Sequence, residues 1–262
     1  MPKTALPLSS VIVAGALLAA GAIGTPSFAA SSSAYFTPAV KPGQRIDSIF
    51  SKAIAITGAD FDPLVRRISG TASFEIEAAK PDEVTGLDRY LYDGRPPGSD
   101  TLVIRNHGMT NCDARGKCAI NDSTSASLFD ALLWGPVPDD IAVGSTWNVK
   151  VTSWEIGPPG EERVSVVRLN PDLGQVTLVR QGHGAGRSSD DAVLDVFTIV
   201  SHGHAIKMKL SPGVATWEGR ATFVHGITVA DEILLTRPVE LTSDTGRVLH
   251  GEERIYTIFT ER

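Results

Sequence analysis

The sequence predicts an all-β protein: antiparallel strands in a sandwich or an open or closed barrel-like body, with one or two short helices. Three observations carry this. Short segments rich in Val, Ile, Thr, Tyr and Trp recur between residues 71 and 260, divided by clusters of Gly, Pro, Asn and Asp. Several alternate apolar and polar side chains, the period of a strand with one buried face. The strand–helix–strand rhythm of a parallel nucleotide-binding sheet is missing.

Taken in order, the chain of 262 residues begins with a segment of a different kind. Lys3 is its one charged side chain, an apolar run follows over Val11–Gly24, and Ser27 and Ala29 give a small-x-small pattern. A basic start, an apolar centre and a small-residue end are the three parts of a secretory signal peptide, here residues 1–29 with cleavage expected after Ala29. The run falls short of the roughly 20 apolar residues of a spanning helix. Its loss leaves 233 of the 262 residues and moves the net charge from −6 to −7, because Lys3 goes with it. Such a length suits a single all-β domain and is ample for a core. An acidic chain has no basic field for a phosphate backbone, so no nucleic-acid partner is expected. No later stretch predicts a transmembrane segment.

Residues 30–42 mix Ser, Pro and Ala and read as an extended N-terminal arm, ahead of a single β-rich domain over 43–262, with two lobes an alternative. Within 43–57, Ile46, Ile49, Phe50 and Ala53 fall at i, i+3, i+4 and i+7, which predicts a short helix. Over Thr71–Ala78, Phe74 and Ile76 alternate with Glu75 and Glu77 as in a strand. Arg89–Asp93 and Thr101–Arg105 flank Gly94-Arg-Pro-Pro-Gly98 and read as a hairpin. A helix is expected near 123–134, capped by Asp122, Ser123 or Thr124 and ended by Gly135-Pro136. Strands follow at 146–154, 163–169 and 175–180, the last two joined by Asn170-Pro-Asp-Leu-Gly174. Further strands are expected at 193–200, 204–210, 219–224, 228–241 and 248–260, with a tight turn at Asp244–Arg247.

Cys112 and Cys118 are the only cysteines. In an exported chain two so near each other predict a local disulfide that pins a loop. Their CxxxxxC spacing matches neither a CxxC redox motif nor a zinc ribbon.

Tyr90-Leu-Tyr-Asp-Gly-Arg-Pro96, Leu133–Pro138 with Val143-Gly-Ser-Thr-Trp147, and Trp154–Gly160 form a recognisable set, to which Thr236–Val239 and Glu253–Tyr256 add. On these the chain resembles secreted bacterial β-rich proteins of uncharacterised activity that carry a VGxxW turn. The resemblance implies export and a β-rich fold, and it carries over no catalytic residue. Gly144 permits the turn and Trp147 can open a strand with its ring on the sheet. For Trp147 and Trp154, packing is the expected role.

Candidate chemistry is sparse. His202 and His204, two apart on a strand, are the one histidine pair with metal-ligand spacing, and His183 could join them. The next position on that face, Ile206, cannot be a ligand, and Gly203 suggests a solvated hairpin loop. His107, His225 or His250 could equally converge with the pair in three dimensions. Gly182–Asp191 holds glycines, a histidine, hydroxyls and acids, but flanking strands make it a loop, neither a phosphate cradle nor a triad. Asp139-Asp140, Glu161-Glu162 and Glu252-Glu253 read as solvated turns and edges. Asn121-Asp-Ser123 is a sequon with meaning only in a eukaryotic secretory route. No catalytic, cofactor or metal site is assigned, and no cofactor is expected. The expectation is a periplasmic or extracellular, non-enzymatic binding or envelope-associated module for a small apolar ligand or an envelope protein. A hydrolase or metal-dependent enzyme using His183, His202 and His204 is the alternative.

Overall fold

The computed structural model describes residues 30–105, 108–112, 118–119, 128, 137–151, 160–184 and 196–262. The first elements are β1 (Ala30–Ser31), α1 (Ser33–Phe36), β2 (Arg45–Gly58), β3 (Phe61–Lys80), β4 (Glu83–Tyr92) and β5 (Gly98–Arg105). β6 (Gly108–Cys112), β7 (Cys118–Ala119), β8 (Asp140–Ile141) and β9 (Thr146–Val151) follow. Then come β10 (Gly160–Asn170), β11 (Gln175–Gly184), β12 (Val196–Ser201), β13 (His204–Pro212), β14 (Ala215–Val224), β15 (Ile227–Ser243) and β16 (Val248–Glu261).

Fourteen of these strands form one antiparallel sheet, twelve of them in the order β7-β6-β5-β4-β3-β2-β16-β15-β14-β11-β10-β9 with β12 and β13 off that path, while β1 and β8 pair separately. β15 is long enough to hold two neighbours. Its first part pairs with β14, and Val239–Ser243 pairs with β13, which carries β12. The sheet does not close into a barrel. β12 lies beside β3 without a ladder between them, and Ser201 Oγ donates to the Asp60 carbonyl at 2.6 Å. Register shifts at Ile56/Gly58, Ile76/Ala78, Val166/Arg168 and Thr222/Phe223 bend the strands, as bulges do.

One face of the sheet is buried along most of its length. On β2 the even-numbered residues Ile46, Ile54 and Ile56 face inward, paired across to Phe74, Arg66 and Leu64. Four apolar clusters line this face. One joins Ile46, Phe74, Ile76, Val84, Leu102 and Ile104. A second gathers Val149, Val164, Val166, Val176, Leu178 and Phe223 around α1. A third, with Ile54, Trp217, Leu235 and Ile255, sits between them, and a fourth, with Ile56, Ile199, Leu210 and Leu241, lies under β12 and β13.

Two expectations are corrected here. In place of the helix expected within 43–57 the chain forms β2, Arg45–Gly58, whose inward positions between Ile46 and Ile54 include Ser48 and Lys52. Those polar residues break the alternation that would have marked β2. The arm expected over 30–42 is folded onto the sheet. Ser32 N–H donates to the Asp139 carbonyl at 2.8 Å and Ala39 N–H to the His225 carbonyl at 2.9 Å. Gly226 N–H donates to the Tyr35 carbonyl at 2.8 Å, and α1 buries Tyr35 and Phe36 against Phe223 and Trp147. Two large aromatic side chains favour burial over solvation by several kcal/mol together, which is enough to order so short a segment.

The turns form where expected. Gly144, at φ 93°, opens the Val143–Trp147 turn, in which Ser145 N–H donates to the Ala142 carbonyl and Ala142 N–H to Ser145 Oγ, both at 2.9 Å. Trp147 is half-buried and packs edge-on to Phe36 at 6.2 Å. Asn170–Gly174 turns through a short 3-10 segment, Pro171–Leu173, and Gly94–Gly98 joins β4 to β5. The expected helix near 123–134, the sequon at Asn121 and Trp154 lie outside the described residues, apart from Leu128, which is buried in the first cluster.

Candidate functional site

The histidines have turn and surface roles. His202-Gly203 and His225-Gly226 are the two-residue connections of the β12–β13 and β14–β15 hairpins, with φ of 50° and 80° in one and 48° and 74° in the other. Positive φ at both central residues is the geometry whose twist matches a hairpin, and His is among the side chains that tolerate it. His183, His204 and His250 are exposed, with His183 opposite Glu161 and Thr216. Among the described residues no group of three or more His, Cys, Asp or Glu is placed to hold a metal. His107 and the part of Gly182–Asp191 beyond Gly184 lie outside the described residues.

The acid pairs depart from expectation. Asp139 and Asp140 are exposed, but Glu162 and Glu253 are 2% and 0% exposed while their neighbours face solvent or the sheet margin. Successive strand residues point to opposite faces, so each Glu-Glu pair on a strand must send one carboxylate inward. The interior meets them with partners. Glu162 Oε2 accepts from Trp217 Nε1 at 2.7 Å. Arg237 Nε donates to Glu253 Oε2 at 2.5 Å, both side chains fully buried. Arg180 Nη2 donates to both oxygens of Asp231 at 2.7 and 2.5 Å. Burial pushes the Glu162 carboxyl above its usual range, against the pull of Arg180 and the Trp217 bond, and Asp231 adds to the rise. Burial raises Asp231 as well, opposed by Arg180. Each of these acids thus has a hydrogen-bonding partner within the sheet's interior.

A row of aromatic rings lies on the inner face over β2 to β5. There Phe50, Tyr92 and Tyr90 are half-buried and run in a row, Phe50 edge-on to Tyr92 at 5.5 Å and Tyr90 tilted by 42° at 5.3 Å from Tyr92. Register explains the row. Tyr92 is the cross-strand partner of Gly70, and Tyr90 of Gly98. A methyl carbon added at Gly98 would stand 2.5 Å from the Tyr90 ring, and one at Gly70 2.8 Å from that of Tyr92. Each ring therefore lies across its partner strand in space that only glycine leaves. Tyr90 Oη donates to Asp100 Oδ2 at 3.0 Å. Burial, then that bond, push the phenol up to about 12, and the carboxylate charges of Asp100 and Asp88 add to the rise. At neutral pH Tyr90 stays a protonated donor, suited to holding a group and unsuited to acting as base or nucleophile.

On the outer face, Gln181, Thr216, Glu218, Leu234 and Thr236 border a shallow depression of about 330 Å³. Beside it on β16, Tyr256 and Ile258 are 39% and 38% exposed. No helix among the described residues is long and apolar enough to cross a membrane.

No protein-family model matches the chain, and no curated protein matches it. The class defined by fold and site is an all-β sandwich-type sheet with a paired polar interior and an aromatic shelf at one end.

Proposed function

We propose that the chain is an exported, non-enzymatic binding module of the bacterial periplasm or exterior, and that the Phe50–Tyr92–Tyr90 shelf is where it binds. The shelf carries this reading: three half-buried rings in contact, two fixed over glycines, present a preformed apolar surface beside one polar anchor, Tyr90–Asp100. A fixed shelf loses little conformational entropy when a ligand arrives. The signal segment 1–29 supports export.

Native mass spectrometry of the protein from its own exported fraction, without chelator or detergent, tests the reading. The expected result is a mature chain starting at Ala30 with a retained small-molecule adduct, lost when Tyr90 and Tyr92 are both changed to Ala. A stoichiometric metal that disappears with His202→Ala/His204→Ala would instead place the binding site at those histidines and overturn the shelf. An adduct that survives loss of both tyrosines would move the site elsewhere.

A further inference from the structure

The shelf has a sign of charge. Asp100 is half-buried at its edge, accepts from Tyr90 Oη at 3.0 Å, and forms no ion pair among the described residues. The charged groups that act on the Tyr90 phenol near neutral pH are the carboxylates of Asp100 and Asp88. On β4 and β5 the inward positions, from Val84 to Tyr92 and from Gly98 to Ile104, include no basic residue. The adjoining strands bring Lys52, two residues beyond Phe50 on β2, and Arg66 on β3, paired with Ile54. Lys52 is 3% exposed and already engaged within the fold.

Flat aromatic faces carry negative electrostatic potential, and a carboxylate beside them extends it. A surface of this composition attracts a cation whose hydration is weak enough to be given up, which describes an organic ammonium better than a metal ion. We propose that the shelf seats a small organic ammonium ion, its charge over the faces of Tyr92 and Tyr90 and against the free side of the Asp100 carboxylate. This rests on the binding reading above and names the ligand class for the same site. Phe50, edge-on to Tyr92, walls the seat and fixes the Tyr92 ring.

The discriminating pair of probes is choline and its uncharged isostere 3,3-dimethylbutan-1-ol, titrated into the mature protein by calorimetry, with the tyrosine ring resonances followed by NMR. Choline is expected to bind at least about tenfold tighter than the isostere, the range a desolvated cation–ring contact supplies. Asp100→Asn and Tyr92→Leu, each checked for native circular dichroism, should each weaken choline by about tenfold or more. Equal binding of the two probes would overturn the cation while leaving a binding shelf in place. Absence of choline binding, or affinity unchanged in both variants, would overturn it as well. The binding reading itself fails only on the native mass spectrum, so the two failures are separable.

Discussion

The indole of Trp217 reaches across the sheet to Glu162 over the backbone of Gly182, which sits between them in register. A methyl carbon at position 182 would stand 2.3 Å from the indole ring, so the bond between Trp217 and Glu162 exists because β11 has a glycine there. Gly182→Ala should displace the ring and break the bond. Overpacking of this kind costs about 1–3 kcal/mol, and an unpartnered buried carboxylate adds to it. Urea unfolding reads the loss, and near-ultraviolet circular dichroism reads the tryptophan. A variant with wild-type stability and an unchanged aromatic spectrum would show that the space is not needed.

Glu162 also gives the fold a pH dependence, whose sign follows from burial. Its carboxyl is raised above the usual value of 4.5, so the folded chain holds this proton more tightly than the unfolded chain. The stability it contributes is therefore complete below the ordinary carboxylate range and is lost as pH rises through the raised value. Asp231, raised by burial too, works in the same direction. The wild type should be more stable at weakly acidic than at neutral pH. Glu162→Gln keeps an acceptor for Trp217 and removes the titration, so its stability should depend less on pH and match or exceed wild type at neutrality. Melting curves across pH 4–8 check this, and a variant with the wild-type slope would exclude Glu162 as the source.

The strands and turns were legible because they depend on neighbours in sequence: Asn170–Gly174, Gly94–Gly98 and the Val143–Trp147 turn all form as their residues predict. What was hidden depends on register between distant strands. Lys52 and Ser48 made β2 look unlike a strand because their buried setting comes from the rest of the sheet. Glu162 and Glu253 looked solvated because Trp217 and Arg237, their partners, lie 55 and 16 residues away. The shelf was hidden in the same way. Tyr90-Leu-Tyr92 reads as an alternating strand, but only its pairing with Gly98 and Gly70 lays the rings flat.

Arg237 and Glu253 form an ion pair from which solvent is excluded, and such pairs behave asymmetrically. Removing one partner strands a buried charge and costs about 3–5 kcal/mol, whereas replacing both with apolar side chains of similar size is often close to neutral. Arg237→Met and Glu253→Leu should each be strongly destabilising, and the double variant should recover most of the loss. A double-mutant cycle by denaturant unfolding measures the coupling. Additive effects of the two substitutions would show that the pair is not a unit. Single losses below about 1 kcal/mol would show that water reaches it.

Cys112 and Cys118 are directly opposite one another in the β6–β7 ladder. Opposed residues in an antiparallel pair have Cα atoms about 4.5–5.5 Å apart, inside the separation a disulfide spans, so the backbone is already placed for the bridge expected in an exported chain. Closing so short a loop restricts the unfolded chain only modestly, and Cys112→Ser/Cys118→Ser should lower stability by about 2 kcal/mol without unfolding the sheet. Intact mass before and after reduction checks the bond itself: a gain of about 2 Da on reduction, from the two hydrogens added, is expected for the exported protein. Two alkylatable thiols in protein that has never met a reductant would rule the bridge out. A much larger stability loss in the double variant would mean that β6 and β7 support the first apolar cluster, beyond pinning their own loop.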